Sequence, residues 1–284
     1  MTTTTTTDVD LTAIKDRQQR AWASGDYAAV AARIVLIAEQ LADAADLRAG
    51  DSVLDVATGT GNAALAAARC GCTVTGVDYV PALLERGRLR AEAEGLDVAF
   101  ECGDAEHLPF DDGTFDAVLS CLGVMFSPDQ EQAAAELVRV CRPGGTIAVA
   151  NWSPTSFVGG MFRTVGGHVP PPAGLRPPGL WGTEERLQEL FGSAASELRF
   201  TRRQFTFRFR SPDHFVDFFR HHYGPVHQAF AAAEEPRQLR ADLVALVVQH
   251  DRSPGPTVAI PSEYLEAVAI RRPGAPVPTN TEGA

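Results

Sequence analysis

The chain has 284 residues, 45% of them hydrophobic, and a formal net charge of −11. That is enough apolar material for one large α/β domain with an accessory cap. The acidic balance argues against a surface that tracks phosphates, because nucleic-acid binders need clustered basic charge.

A threonine tract, Thr2 to Thr7, opens the chain, and residues 1–10 are expected to form a disordered tail. These first residues carry charges and no apolar core, so they do not read as a secretory signal. No apolar run is long enough to span a bilayer, and a cytoplasmic setting is expected. Leu11 to Ala23 and Tyr27 to Ala45 read as helices broken at Ser24-Gly25-Asp26, with Asp26 as N-cap. Val30, Ile34, Ile37, Ala38 and Leu41 recur at helical spacing. Residues 11–45 are assigned to an N-terminal helical cap.

Residues 46–151 are assigned to a core whose α/β unit starts near Asp51. Its predicted strands are Ser52 to Val56, Thr73 to Val77, Val98 to Glu101, Phe115 to Ser120 and Thr146 to Ala150. Its helices are Ala63 to Arg69, Pro81 to Glu94 and Asp129 to Cys141, with Pro81 suited to a first helical turn. The first strand ends in Ala57-Thr58-Gly59-Thr60-Gly61. Glycines at 59 and 61 let a ligand lie against the backbone, and the helix start that follows offers free N–H groups. The glycine pair also fits the relaxed dinucleotide pattern G-x-G-x-x-A, so it does not by itself separate cofactors. Asp78, at the end of the second strand, can accept from two ribose hydroxyls. After the third strand, Gly103-Asp104-Ala105-Glu106 places an acid where it can accept from an exocyclic adenine amine. Leu108-Pro109-Phe110-Asp111-Asp112-Gly113 turns into the fourth strand, and Arg142-Pro143-Gly144-Gly145 opens the fifth.

Residues 152–182 are rich in Gly and Pro and read as a lid-like connection. Residues 183–210 continue the core, with a helix Thr183 to Phe191 and a sixth, bent strand Ser196 to Phe209. In that strand Arg199, Arg202, Arg203, Arg208 and Arg210 alternate with phenylalanines, which reads first as one buried face and less readily as an RNA-stacking surface. Residues 211–255 read as a helical cap insertion interrupted at Gly224-Pro225, and 256–271 hold the last strand, Tyr264 to Ile270. Residues 272–284 read as a loose tail. Cys70, Cys72, Cys102, Cys121 and Cys141 are expected to be reduced thiols, each a small buried hydrophobe.

Taken in order, the segments between residues 50 and 151 resemble the class I S-adenosylmethionine (SAM) dependent methyltransferases, in particular the ubiquinone/menaquinone-biosynthesis branch with its many small-molecule enzymes. The resemblance implies a Rossmann-like, seven-stranded, mostly parallel sheet with an antiparallel last strand, helices on both faces and a helical cap. It implies SAM as cofactor, S-adenosylhomocysteine as product, and a small-molecule methyl acceptor; partners are then that acceptor and at most a second copy of the chain. The cofactor residues it implies are Asp55, Ala57, Gly59, Thr60, Gly61, Asp78, Tyr79, Asp104, Ala105 and Cys121, with Asp55 alternatively holding only the backbone of the glycine turn. The Asn/Asp-Pro-Pro-aromatic motif of amino-N and DNA-base methylation is absent after the fourth strand. A metal site is not recognised. His221, His222 and His168 are the candidate general bases, and His214 and His227 lie in the same cap segment. A SAM-binding protein without transferase activity remains the alternative.

Overall fold

The computed structural model describes residues 10–274. Both expected tails lie mainly outside them. The chain order is α1 (Leu11–Ala23), α2 (Tyr27–Ala31), α3 (Val35–Ala44), β1 (Ser52–Val56), α4 (Asn62–Arg69), β2 (Thr73–Asp78), α5 (Pro81–Glu94), β3 (Val98–Cys102), β4 (Phe115–Cys121), α6 (Gln130–Val140), β5 (Cys141–Trp152), α7 (Phe157–His168), α8 (Glu184–Phe191), β6 (Ala195–Phe209), α9 (Pro212–His222), α10 (Gly224–Ala232), α11 (Pro236–His250) and β7 (Val258–Arg271).

The strands form one seven-stranded sheet in the order β3-β2-β1-β4-β5-β7-β6. β1 to β5 pair in parallel, and β7 runs antiparallel to both β5 and β6. The central strands are near-continuous apolar runs: Val53, Leu54, Val56, Ala117, Val118 and Leu119 are all buried. That composition suits strands covered on both faces. The chain leaves β1 toward β2 on one side and β4 toward β5 on the other. Right-handed crossovers in opposite directions put α4 and α6 on opposite faces. The strand order therefore reverses between β1 and β4, and a crevice opens beyond their carboxyl ends, where open α/β sheets bind ligands.

The segment 27–45 is two helices, not one. Ala32 to Ile34 form a turn that lets each half pack on a different partner: α2 against α9, α3 against α4, β4 and β5. Ile37, Ala38 and Leu41 are completely buried, so α3 belongs to the layer covering the sheet and only α1 and α2 to the cap. Asp26 occupies the cap position of α2 but its side chain makes no capping hydrogen bond.

The connection 152–182 contains a full helix, α7, despite Gly159, Gly160, Gly166 and Gly167. Tertiary packing overrides their poor propensity. Ser156 Oγ caps the helix by accepting from Gly159 N at 3.2 Å. A Cβ at Gly159 would stand 2.3 Å from Pro154 O, and one at Gly160 3.2 Å from Leu246 of α11, so the glycines set how closely the helix approaches its neighbours. Of the cysteines, all free, Cys72 and Cys141 are buried, Cys121 is half-buried, and Cys70 and Cys102 are exposed, against the expectation of burial for each. Among the described residues no helix is long and apolar enough to cross a membrane.

Candidate active site

The turn after β1 is built by three residues in the left-handed region: Ala57 (φ 54°), Gly59 (φ 57°) and Gly61 (φ 84°). A non-glycine residue there is strained by roughly 1–2 kcal/mol. Leu122, just past β4, adopts the same conformation (φ 57°), and a Cβ on Gly123 would lie 2.6 Å from Ala57 O. Two strained residues thus face each other across the switch point, a placement typical of ligand sites.

Asp78, at the end of β2, holds the turn from the side. Its Oδ2 accepts from Gly59 N and its Oδ1 from Val80 N, each at 2.9 Å. Burial pushes its carboxyl up to about 6, with the backbone N–H groups pulling it back. Asp55 lies beneath the turn, where Oδ2 accepts from Thr58 Oγ1 at 2.6 Å and Ala64 N at 2.9 Å. Burial lifts it to about 7. The backbone-holding reading of Asp55 is the one the structure supports, because it does not reach the cleft wall. Gly61 is corrected in the same way. Its absent side chain makes room for Phe100, whose ring would stand 2.9 Å from a Cβ, and not for a ligand.

Ala57, Gly59, Thr60, Asp78, Tyr79, Asp104, Ala105 and Cys121 all line one cleft, partly open to solvent. Lys15 of α1 reaches its acidic end, 2.6 Å from Asp104 Oδ2 and 2.5 Å from Glu106 Oε2. Burial opposes the Lys15 charge, but the two carboxylates win and hold its ammonium above the ordinary value. Burial opposes ionisation of Asp104 too, but the Lys15 hydrogen bond and charge, the Glu106 N–H and the neighbouring His107 together outweigh it and keep that carboxyl low. From the same helix Gln18 Nε2 donates to Phe126 O at 3.1 Å, and Gln19 Nε2 donates to Tyr79 O. Lys15, Gln18, Gln19 and Trp22 share one helical face. Sequence reasoning missed Lys15, although the spacing of these polar residues ahead of an aromatic was a signal.

At the other end the cleft adjoins a small apolar chamber, itself partly open to solvent; Trp22, Tyr27, Ile34, Leu122 and Phe126 line both. Trp22 sits at the centre, edge-on to Phe126 (centroids 5.0 Å), Tyr223 (5.5 Å) and Tyr27 (5.6 Å). α10 reaches this cluster because Gly224 permits contact with α1: a Cβ there would lie 1.9 Å from Ala21 O.

None of the three candidate bases lines the cleft or the chamber. The apolar stripe of α9, Phe215, Val216, Phe218 and Phe219, is the buried face, which turns His221 to solvent with Nδ1 2.6 Å from Asp217 O. His222 lies against the Phe218 ring, centroids 4.6 Å apart. His168 pairs with Asp242 Oδ2 at 2.8 Å, joining α7 to α11. His214 and His227 bond backbone groups instead, Arg210 N and Arg220 O. The arginines of β6 are largely neutralised: Arg199 pairs with Glu197, Arg202 with Glu184 and Glu263, and Arg203 with Glu266. The phenylalanines between them pack on the core, Phe207 and Phe209 buried and Phe200 and Phe205 half-buried, as the one-buried-face reading expects. The Arg142-Pro143-Gly144-Gly145 segment lies at the opposite edge of the sheet, where Arg142 Nε bonds Asp116 Oδ1 at 2.5 Å. It shapes the start of β5 and touches no part of the cleft.

A family model described as methyltransferase domain matches residues 54–149. An uncharacterized protein of Mycobacterium tuberculosis is 41% identical over 231 residues, covering 80% of this chain and 84% of the relative. The demethylmenaquinone methyltransferase of Thermus thermophilus is 39% identical over 142 residues, 45% of this chain and 64% of the relative. The chain belongs to the class I SAM-dependent methyltransferase family. The crystal structure of the YcgJ protein of Bacillus subtilis shares the fold, with a TM-score of 0.58 at 18% identity over 84% of this chain and 99% of that one. The groups lining the methyltransferase's cleft suit the polar groups of a SAM molecule. A Cβ at Gly59 would stand 3.5 Å from the Tyr27 ring, in ordinary van der Waals contact, so the ring lies directly beside the bare backbone of the turn and both line the cleft. Two carboxylates, Asp78 and Asp104, stand at successive strand ends beside it.

Proposed function

We propose that the methyltransferase binds SAM in the cleft and passes its methyl group to oxygen, nitrogen or carbon of a small organic acceptor held in the adjoining chamber. The observation that carries this is the continuity of the two spaces through Trp22, Tyr27, Ile34, Leu122 and Phe126. SAM, when bound, supplies a sulfonium methyl open to direct displacement. Asp78 would accept from the ribose hydroxyls, and Asp104, with Ala105 and Tyr79, would hold the adenine. Ala57, Gly59 and Thr60 would line the backbone cradle, and Cys121 and Leu122 the far wall.

The residues around the chamber hold an acceptor in line with the methyl and keep water away; they do not offer a base. Burial drives the Tyr27 and Tyr223 hydroxyls and the Cys121 thiol well above their ordinary values, so all three stay protonated at neutral pH. Positioning of two reactants is the main source of rate in this reading. A cytoplasmic setting, with reduced cysteines, belongs to the same proposal. Calorimetry tests it: S-adenosylhomocysteine should bind and NAD should not, and S-adenosylhomocysteine should accumulate when protein and SAM meet extracts of the source cells. Binding of NAD with no response to S-adenosylhomocysteine would overturn it.

A further inference from the structure

The chamber has a composition of its own. Val30, Val158, Met161, Trp152, Phe207 and Phe219 complete its walls, and among the described residues it is lined by no carboxylate, ammonium, guanidinium or imidazole. Its only polar side-chain groups besides the indole N–H groups are two phenolic hydroxyls, from Tyr27 and Tyr223. Tyr223 is 7% exposed. No hydrogen bond is made by either hydroxyl among the described residues, whereas that of the buried Tyr264, on the sheet, donates to Gln40 Oε1 at 2.6 Å. Neither is among the fully enclosed polar atoms without a partner, so both keep access to a partner that enters from outside the protein.

The two tyrosines are close, ring centroids 6.4 Å apart, one on α2 and the other between α9 and α10. They flank Trp22 from opposite segments of the cap. Tyr27 also faces the cofactor turn at Gly59. Apart from the indole N–H groups of Trp22 and Trp152, an acceptor in the chamber would therefore meet hydrocarbon on every side except at this pair, of which Tyr27 also lines the cofactor cleft.

We infer that the chamber selects a neutral, largely hydrocarbon acceptor carrying a hydroxyl or carbonyl group, and that Tyr27 and Tyr223 position it by hydrogen bonds to that group. This rests on the proposed methyltransferase reading and narrows its substrate class. An anionic or cationic acceptor would bury a charge with no opposite charge beside it, a cost that neutral groups avoid. The tyrosines are positioning residues. Each can donate its hydroxyl proton in a hydrogen bond to the acceptor oxygen, and the pair would orient that oxygen, or the carbon next to it, toward the methyl.

The test uses three probes of one shape, 2-naphthol, naphthalene and 2-naphthoate, titrated calorimetrically into the whole protein with and without S-adenosylhomocysteine. 2-Naphthol should bind at least about threefold tighter than naphthalene, the value of one modest hydrogen bond, and at least about tenfold tighter than 2-naphthoate. Tyr223→Phe should abolish the preference for 2-naphthol over naphthalene while leaving naphthalene affinity unchanged, a selective loss that general loosening of the cap would not produce. Tyr27→Phe gives the same readout should Tyr223→Phe fold poorly. Equal or tighter binding of 2-naphthoate, no preference for the hydroxyl, or no binding of any probe up to its solubility limit overturns the inference. Failure of S-adenosylhomocysteine to bind in the same preparation would overturn the cofactor proposal instead, because the probe ranking without it still reads the chamber.

Discussion

Lys15 Nζ lies 2.6 Å from Asp104 Oδ2, a contact that spans 89 positions of sequence and fastens the first helix to the wall of the cofactor cleft. The same ammonium reaches Glu106, whose side chain is 2% exposed. The first helix is thus tied to the cleft by charge at one end and by the Trp22 aromatic cluster at the other.

Lys15→Met should loosen that attachment. A hydrogen bond to a charged group is worth about 1.5–3 kcal/mol, less where solvent screens it, and Asp104 is more than a third exposed; a loss of about 1–2 kcal/mol is expected. Hydrogen exchange should quicken in residues 11–23 while β1 and β4 keep their protection. Unchanged exchange in α1 would show that the aromatic cluster alone seats the helix.

The two buried carboxylates give opposite pH trends for stability and binding. Asp78 titrates near 6 and Asp55 near 7 in the folded protein, against about 3.9 in an unfolded chain. The fold holds these protons more tightly than the unfolded chain does. Their contribution to stability is therefore full below about pH 4 and is lost as pH rises through 6 to 7. Binding runs the other way, because the ribose hydroxyls need an ionised Asp78. S-adenosylhomocysteine affinity should fall roughly tenfold between pH 7 and pH 5, as expected for a group one unit below its pKa. Calorimetry across that range checks it, and Asp78→Asn should bind weakly with a flat profile.

Gly59→Val places a branched side chain at a φ of 57°, with its Cβ already 3.5 Å from Tyr27. Left-handed strain of about 1–2 kcal/mol should appear as a lower melting temperature. The larger effect should be on the ligand: the methyl groups crowd the Tyr27 ring and the cleft wall it shares with the turn, and S-adenosylhomocysteine affinity should drop by at least about tenfold, or about 1.4 kcal/mol. Normal binding by a folded variant would show that the turn is not the cradle.

Arg203 and Glu266 form a two-pronged pair, 2.8 and 3.0 Å, on the β6–β7 ribbon, with Glu266 2% exposed. Removing one partner of a buried pair costs about 3–5 kcal/mol; with Arg203 itself 32% exposed, about 2–4 kcal/mol is expected for Arg203→Met in urea unfolding. Adding Glu266→Met should restore part of it. No recovery in the double variant would mean that the arginine acts through packing of its stem and not through the charge.

The strand, turn and helix around Ser52 to Arg69, the acids closing β2 and following β3, and the parallel sheet they imply were legible in the sequence, because each depends on local rules: runs of apolar residues, glycine where φ is positive, an acid at a strand end. Asp78, Asp104, Gly59 and Cys121 could be named for that reason, since the carboxyl ends of parallel strands share one edge whatever covers them. Other features depended on which face of each element meets which partner, and local pattern does not carry that. The histidines of α9 drew attention by their spacing, yet Phe215 and Phe219 won the buried face and turned His221 outward. Asp55 and Gly61 carry motif positions but serve the turn and Phe100. A glycine-rich stretch read as irregular became α7 because α11 supports it. Lys15 meeting Asp104, and Tyr27 meeting Tyr223, were decided only when segments distant in the chain packed together, because burial of the aromatic faces fixed the helix orientations and the polar groups went where those orientations carried them.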